Sequence, residues 1–124
     1  NADGANRLAA TLREQFPGKK LALVLGVLRD KDCAGVCRQL APLAGRICCA
    51  RVNNERTSDP AELASLCRQF NPQAAVAAYS TVREAYRAAK GEVVVIAGSL
   101  YLLGEAMVEL GLAATSAPRE LGLQ

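Results

Sequence analysis

A serine between an apolar run and a predicted helix is the residue of this chain best placed to bind a ligand. Ser99 follows the apolar residues 93–97 and one glycine, and a helix is predicted over residues 99–110. The first N–H groups of a helix have no partners within it, and the helix dipole attracts negative charge. Ser99 is therefore a candidate contact for an anion. Alternatively, its hydroxyl only caps the helix, as is common between a strand and a helix.

Five cysteines are the other chemically reactive side chains, at positions 33, 37, 48, 49 and 67. Their odd number argues against a complete set of disulfides, so free thiols are expected. Cys33 and Cys37 are four residues apart on a predicted helix, but zinc needs two further ligands, and the chain has no histidine and no C-x-x-C pair. We expect buried thiols and no metal site. The lack of histidine also excludes a Ser-His or Cys-His catalytic pair within this chain.

Composition excludes several classes of protein. The 124 residues fit one domain, and 51% of them are hydrophobic. The net charge is only +3, the basic residues are scattered among acidic ones, and Tyr and Phe together number five, so a nucleic-acid partner is not expected. No apolar run approaches a membrane span and no signal peptide opens the chain, so a cytoplasmic protein without a membrane partner is expected.

Apolar runs alternate with amphipathic segments along the chain. The predicted strands cover residues 21–25, 46–52, 74–79 and 92–97, and the predicted helices cover residues 5–16, 33–43, 61–70, 82–90 and 99–110. Three of these helices have clear capping residues, namely Asp32, Asp59 before Pro60, and Thr81 with Glu84 three residues later. This alternation predicts an α/β fold, with helices on both faces of a parallel sheet and ligands at the carboxyl ends of its strands.

Four short stretches, taken in order, resemble the motifs of one enzyme family. Residues 1–8 (NADGANRL) look like the end of a D-G-A-H-N signature of which Asn1 is the last residue, although Ala2 stands where a proline is usual. Residues 26–32 (GVLRDKD) resemble a G-x-x-x-D-K-D turn, residues 53–56 (NNER) a polar loop, and residues 98–102 (GSLYL) a G-S-x-Y-L turn. The family is that of the folylpolyglutamate and dihydrofolate synthases, in the Mur ligase superfamily.

The resemblance implies the fold of the carboxyl-terminal domain of these enzymes. That domain is three-layered and Rossmann-like, with a mostly parallel sheet. Residues 1–112 would form this glutamate ligase domain, whereas residues 113–124 show no clear period and are expected to be a frayed tail. A strand belonging to the signature would precede the first helix, so part of the parent enzyme is expected to lie upstream of Asn1.

The resemblance also implies an activity for the intact enzyme. ATP would phosphorylate a pteroate or folate carboxylate, and the amine of L-glutamate would attack the acyl phosphate to form an amide. This chain has no G-x-x-x-x-G-K-[ST] loop, so ATP and Mg²⁺ are expected on a separate amino-terminal ATPase domain. No catalytic residue is expected in this chain, which would be inactive by itself.

The same resemblance implies roles for individual residues. Ser99 and Asn1 would hold a glutamate carboxylate from neighbouring strand ends. Lys31 would offset substrate charge, or pair with Asp30 across the closed cleft, or remain a solvated surface charge. Tyr101 is expected to pack under its turn.

Other interpretations of the sequence stay open. Asn54 and Arg56 could contact substrate or belong to a plain surface loop. The chain could instead be the carboxyl-terminal domain of a cell-wall Mur ligase, which adds an amino acid or peptide to a nucleotide-linked muramic acid. From a different class, it could be a non-catalytic Rossmann-like binding module.

Overall fold

A parallel sheet forms the centre of the part of the chain that the computed structural model describes, residues 2–98. Its elements follow in the order α1 (Ala2–Gln15), β1 (Leu21–Gly26), α2 (Cys33–Leu40), β2 (Ala44–Ala50), α3 (Pro60–Phe70), β3 (Ala75–Tyr79), α4 (Val82–Ala88) and β4 (Val93–Gly98). The predicted helix at 99–110 and the predicted tail at 113–124 lie outside these residues.

The strand order within residues 2–98 is β3-β2-β1-β4, and every pairing is parallel. The chain moves outward from β1 to β2 and β3, then crosses back to add β4 on the other side of β1. This places β1 at the centre, where Leu23 pairs with Ile47 of β2 and with Val95 of β4. The predicted α/β fold with a parallel sheet is confirmed.

Helices cover both faces of the sheet, as the sequence predicted. Helices α1, α2 and α3 pack on one face, against side chains such as Leu23 and Leu25 of β1. Helix α4 packs on the other face, against Ala22 and Val24 of the same strand. All six residues of β1 are buried, which explains why this strand is a continuous apolar run and not an alternating one.

The predicted helix caps are confirmed. The Asp32 carboxylate accepts a hydrogen bond from the N–H of Gly35 at 2.9 Å, and Asp59 caps the first turn of α3 in the same way. Thr81 Oγ1 accepts the N–H of Glu84 at 3.1 Å and donates to the carboxylate of that residue. Each cap satisfies an N–H group that the helix itself leaves without a partner.

The second predicted helix is shorter than expected. The sequence predicts a helix over residues 33–43, but α2 ends at Leu40 and a 3-10 helix follows at Ala41–Leu43. Pro42 is the cause, because its ring and missing N–H are incompatible with a continuing α-helix. The Asn71 side chain then donates to the carbonyls of Ala41 and Ala44, at 2.8 and 2.9 Å, which holds the turn into β2.

None of the helices within residues 2–98 is long and apolar enough to cross a membrane.

Candidate functional site

The carboxyl ends of β1 and β4 form the crevice where this fold is expected to bind a ligand. In open α/β sheets, ligands bind outside the carboxyl ends of the strands, where the order of the strands reverses. Here the order reverses between β1 and β4, because β2 and β3 lie on one side of β1 and β4 lies on the other.

Two glycines pair at this crevice, and the backbone of one leaves no room for a side chain on the other. Gly26 and Gly98 are register partners at the ends of β1 and β4. A Cβ atom on Gly98 would overlap the carbonyl oxygen of Gly26, and the φ angle of Gly98 is +129°, which L side chains rarely adopt. Ser99 is the next residue in the sequence, but it lies outside the described residues, so its predicted role in anion binding stays a prediction.

The start of α1 lies at the same edge of the sheet. Its first residue, Ala2, packs against the first turn of α2, because a Cβ atom on Gly35 would come within 3.0 Å of the Ala2 Cβ. The Asp32 carboxylate that caps α2 lies closer still to that Cβ position, so Gly35 leaves room first for the cap and then for Ala2. Asn1 precedes Ala2 in the sequence and also lies outside the described residues. The N–H groups that begin α1 and α2 give this edge a positive electrostatic character.

The loops that follow β1 and β2 are joined to each other beside the crevice. Residues 27–32 run antiparallel to residues 56–58. Two backbone hydrogen bonds form the Leu28–Thr57 bridge and join the loops: the N–H of Arg29 donates to the carbonyl of Arg56 at 2.7 Å, and the N–H of Ser58 donates to the carbonyl of Val27 at 3.0 Å. The predicted Asp30–Lys31 segment is thus held against the polar loop.

An ion pair links the same two loops. Arg56 Nη1 lies 2.7 Å from Asp30 Oδ2, and both side chains are about half exposed, at 47% and 46%. The sequence pattern did not predict this pair, because the loops are far apart in the chain and only the fold brings them together. The Lys31 ammonium has no ion-pair partner within residues 2–98, and the Asp30 carboxylate is already engaged by Arg56.

Short polar side chains fix the shape of the polar loop, and their roles were also not predicted. The side-chain Oδ1 of Asn54 accepts the N–H of Arg56 at 2.8 Å. Thr57 Oγ1 accepts the N–H of Val52 at 2.8 Å and donates to the carbonyl of Ser58 at 3.1 Å. Ser58 is buried, and its hydroxyl donates to the carbonyl of Val27. Asn, Thr and Ser side chains often form such local bonds to the backbone, which is the signal that could have indicated them.

All five cysteines are free thiols, as predicted, and three of them meet in the core between the sheet and α1–α3. The sulfur atoms of Cys37 and Cys67 are 3.7 Å apart, and Cys49 lies beside Cys67. The hydrogen bond with Cys37 lowers the pKa of Cys67, because it favours the thiolate. The hydrogen bond with Cys49 and burial have the opposite effect and are together stronger, so the pKa of Cys67 is raised to about 12. The pKa of Cys37 is also raised, by its hydrogen bond with Cys67 and by burial. These thiols stay protonated at neutral pH, which makes them poor nucleophiles.

No group of three or more metal-ligating side chains occurs within the described range. That zinc is absent from the protein stays a prediction, which elemental analysis would check. The carboxyl edge has backbone N–H groups and the Lys31 ammonium, which has no ion-pair partner within residues 2–98, with which to hold an anion.

Comparison with known proteins agrees with this geometry. The sequence model of the Mur ligase glutamate ligase domain matches residues 1–100. The structure is similar to folylpolyglutamate synthase of Mycobacterium tuberculosis in complex with ADP and AMPPCP, with a TM-score of 0.80 and 26% identity over 91% of this chain. It is similar to the Thermotoga maritima enzyme, with a TM-score of 0.75 and 28% identity over 99% of the chain.

A third similar structure is the bifunctional folylpolyglutamate and dihydrofolate synthase of Yersinia pestis with AMPPNP and a manganese ion, at a TM-score of 0.72 and 26% identity over 90% of this chain. The match spans only 28%, 28% and 27% of these three enzymes, respectively. A search of curated protein sequences finds no match. The resemblance to the carboxyl-terminal domain of folylpolyglutamate synthases is confirmed, and the chain belongs to the Mur ligase family, as a glutamate ligase domain.

Proposed function

We propose that this domain binds glutamate in an ATP-dependent ligase that joins L-glutamate to a pteroate or folate. The observation that carries the proposal is the crevice between β1 and β4, where Gly26 and Gly98 meet and the chain continues into Ser99. Membership of the Mur ligase family and similarity to folylpolyglutamate synthases support the choice of substrate.

In this proposal, Ser99 and Asn1 hold a glutamate carboxylate at the carboxyl edge, and the Lys31 ammonium offsets its charge. A hydroxyl and a side-chain amide are suitable donors to a carboxylate. The reaction forms an amide through an acyl phosphate of the pteroate or folate. The contribution of this domain is to orient the glutamate amine and to keep water away from that hydrolysable intermediate.

We propose that the ATP phosphates and Mg²⁺ bind mainly outside this domain. The sequence has no phosphate-binding loop, and residues 2–98 have no cluster of three metal-ligating side chains. The related enzymes were crystallised with ADP, AMPPCP, or AMPPNP and a manganese ion. We therefore assign nucleotide and metal to an amino-terminal ATPase domain that acts with this one and that would form the acyl phosphate.

Substitution of Ser99 tests the proposal in the ligase formed with the ATPase domain. If Ser99 binds the glutamate carboxylate, Ser99→Ala removes a hydrogen bond to a charged group, which costs roughly 1.5 to 3 kcal/mol. This corresponds to a loss of about 10- to 150-fold in kcat/KM for glutamate, while the KM for ATP changes much less. Steady-state titration of glutamate at saturating ATP and folate measures kcat/KM for glutamate.

Ser65→Ala is the matched control, because Ser65 is exposed on α3, away from the crevice. It should leave the kinetics unchanged. A folded Ser99→Ala enzyme with unchanged glutamate dependence would contradict the proposal and leave Ser99 as a helix cap, worth about 1 kcal/mol of stability. Activity with a nucleotide-linked muramic acid in place of folate would instead identify a cell-wall ligase.

A further inference from the structure

A basic groove lies at the edge of the sheet opposite to the crevice, where the strands begin. It is an open groove with a volume of about 550 Å³ between the start of β1, the start of β2 and the turn before β4. Four cationic side chains line it, namely Lys19, Lys20, Arg46 and Lys90. The proposed glutamate site leaves this groove unused, because it lies at the other ends of the same strands.

The positive charges of the groove are only partly balanced by neighbouring side chains. Within residues 2–98, none of the four cations lies within ion-pair distance of a carboxylate. Glu92 lies close in sequence to Lys90, but its carboxylate accepts a hydrogen bond from the backbone N–H of Lys20 at 2.9 Å. That bond ties the turn before β4 to the start of β1, and it brings one negative charge to the groove.

The negative ends of the neighbouring helices also do not balance the charge of the four cations. Helices α1, α3 and α4 and the 3-10 helix after α2 end at this edge, each just before a strand begins. Each helix end carries about half a negative unit charge, so four ends amount to roughly two. With Glu92, the negative charge is roughly three units against four positive ones. The groove therefore keeps an excess positive charge of roughly one unit.

From this excess we propose that the groove binds a small anion through a diphosphate group. The cations come from three separate chain segments that border the groove. Lysine ammonium groups act as compact donors to phosphate, and the Arg46 guanidinium can bind two phosphate oxygens at once. The groove has the size of an ordinary small-molecule site and exceeds what a single phosphate needs.

Titration of the 124-residue chain with inorganic pyrophosphate, followed by calorimetry, tests the proposal. We expect one bound pyrophosphate, with weaker binding of single phosphate and of citrate. The double variant Lys20→Ala/Lys90→Ala should bind pyrophosphate at least about tenfold more weakly, because two charge-assisted hydrogen bonds are lost. Both lysines are exposed, so this variant should keep the melting temperature of the unmodified chain. Lys20→Arg/Lys90→Arg should retain binding.

Lys31→Ala is the control that separates this site from the crevice. Lys31 lies at the opposite edge of the sheet, so its removal should leave pyrophosphate affinity unchanged. The proposal is overturned if the Lys20→Ala/Lys90→Ala variant binds pyrophosphate as tightly as the unmodified chain, if Lys31→Ala alone weakens binding, or if citrate binds as well as pyrophosphate. Because the glutamate test at Ser99 uses a different edge and readout, either proposal can fail without the other.

Discussion

Single polar side chains determine how the two loops beside the crevice are held. The Asp30–Arg56 ion pair is half exposed, whereas Thr57 Oγ1 accepts the N–H of a buried residue, Val52. An exposed ion pair contributes about 0 to 1 kcal/mol, but a buried N–H that loses its acceptor costs about 1 to 3 kcal/mol. Thr57, the less conspicuous residue, should therefore contribute more to stability than the charged pair does.

We predict that Thr57→Val lowers the free energy of unfolding by about 1 to 3 kcal/mol, because valine keeps the shape but not the acceptor. Asp30→Asn should lower it by less than about 1 kcal/mol, and this effect should shrink at high salt, which screens exposed charges. Urea unfolding at low and high salt measures both. An equal or larger loss in Asp30→Asn would show that the ion pair is the main link between the loops.

At the scale of elements, the meeting of β1 and β4 depends on a glycine that no other residue can replace without strain. Gly98 has no room for a Cβ atom, since the backbone of Gly26 occupies that space. The obstacle is backbone and not a flexible side chain, so no rotamer change can relieve it. Gly45 in β2 is a useful contrast, because nothing lies within 4 Å of the position that its Cβ would take.

Gly98→Ala should lower the free energy of unfolding by at least about 3 kcal/mol, through strain at a positive φ angle and displacement of a neighbouring strand. Gly45→Ala should be neutral or stabilise by up to about 1 kcal/mol, because alanine reduces the entropy of the unfolded chain. Thermal and urea unfolding of the two variants would check this. Similar stabilities for both would mean that β1 and β4 can separate at little cost.

At the scale of the whole molecule, the core between the sheet and three helices contains thiols that stay protonated. Cys67 has a pKa of about 12, against a usual value of 9.0. Between these values the unfolded chain loses its thiol proton while the folded chain keeps it. The folded state then binds more protons, so the free energy of unfolding falls as the pH rises from about 9 towards 12.

We expect Cys67→Ala to weaken this alkaline destabilisation. Relative to its own stability at neutral pH, the variant should lose less free energy of unfolding between about pH 9 and 11 than the unmodified chain. Ser65→Ala serves as the control and should follow the unmodified chain. Urea unfolding across this range is the measurement, and parallel pH profiles for Cys67→Ala and the unmodified chain would contradict the assignment.

The isolated 124-residue chain should fold but not catalyse glutamate addition. It contains no phosphate-binding loop, so it cannot hold the ATP phosphates by itself. An assay of ADP release with ATP, folate and glutamate checks this, with the ligase that includes the ATPase domain as the positive control. ADP release by the chain alone, dependent on both folate and glutamate, would refute the prediction.

Local patterns in the sequence were sufficient to predict the elements and the fold class. The burial of β1 on both faces is visible as residues 21–25, an unbroken apolar run, because a central parallel strand has no solvent face. The caps at Asp32, Asp59 and Thr81 were also predictable, since each bond joins residues two or three apart. The end of α2 was predicted less well, because the effect of Pro42 on the last turn was overlooked.

The tertiary structure alone decided which distant residues meet. The Asp30–Arg56 pair, the overlap of Gly26 with a Cβ on Gly98 and the basic groove all join segments that are far apart in sequence. Spacing along the chain predicts contacts only within one helix, strand or turn, whereas strand order and loop packing depend on how the complete core is buried. The sequence therefore determined the parts and their family, and the packing of the sheet determined where their charges and backbones come together.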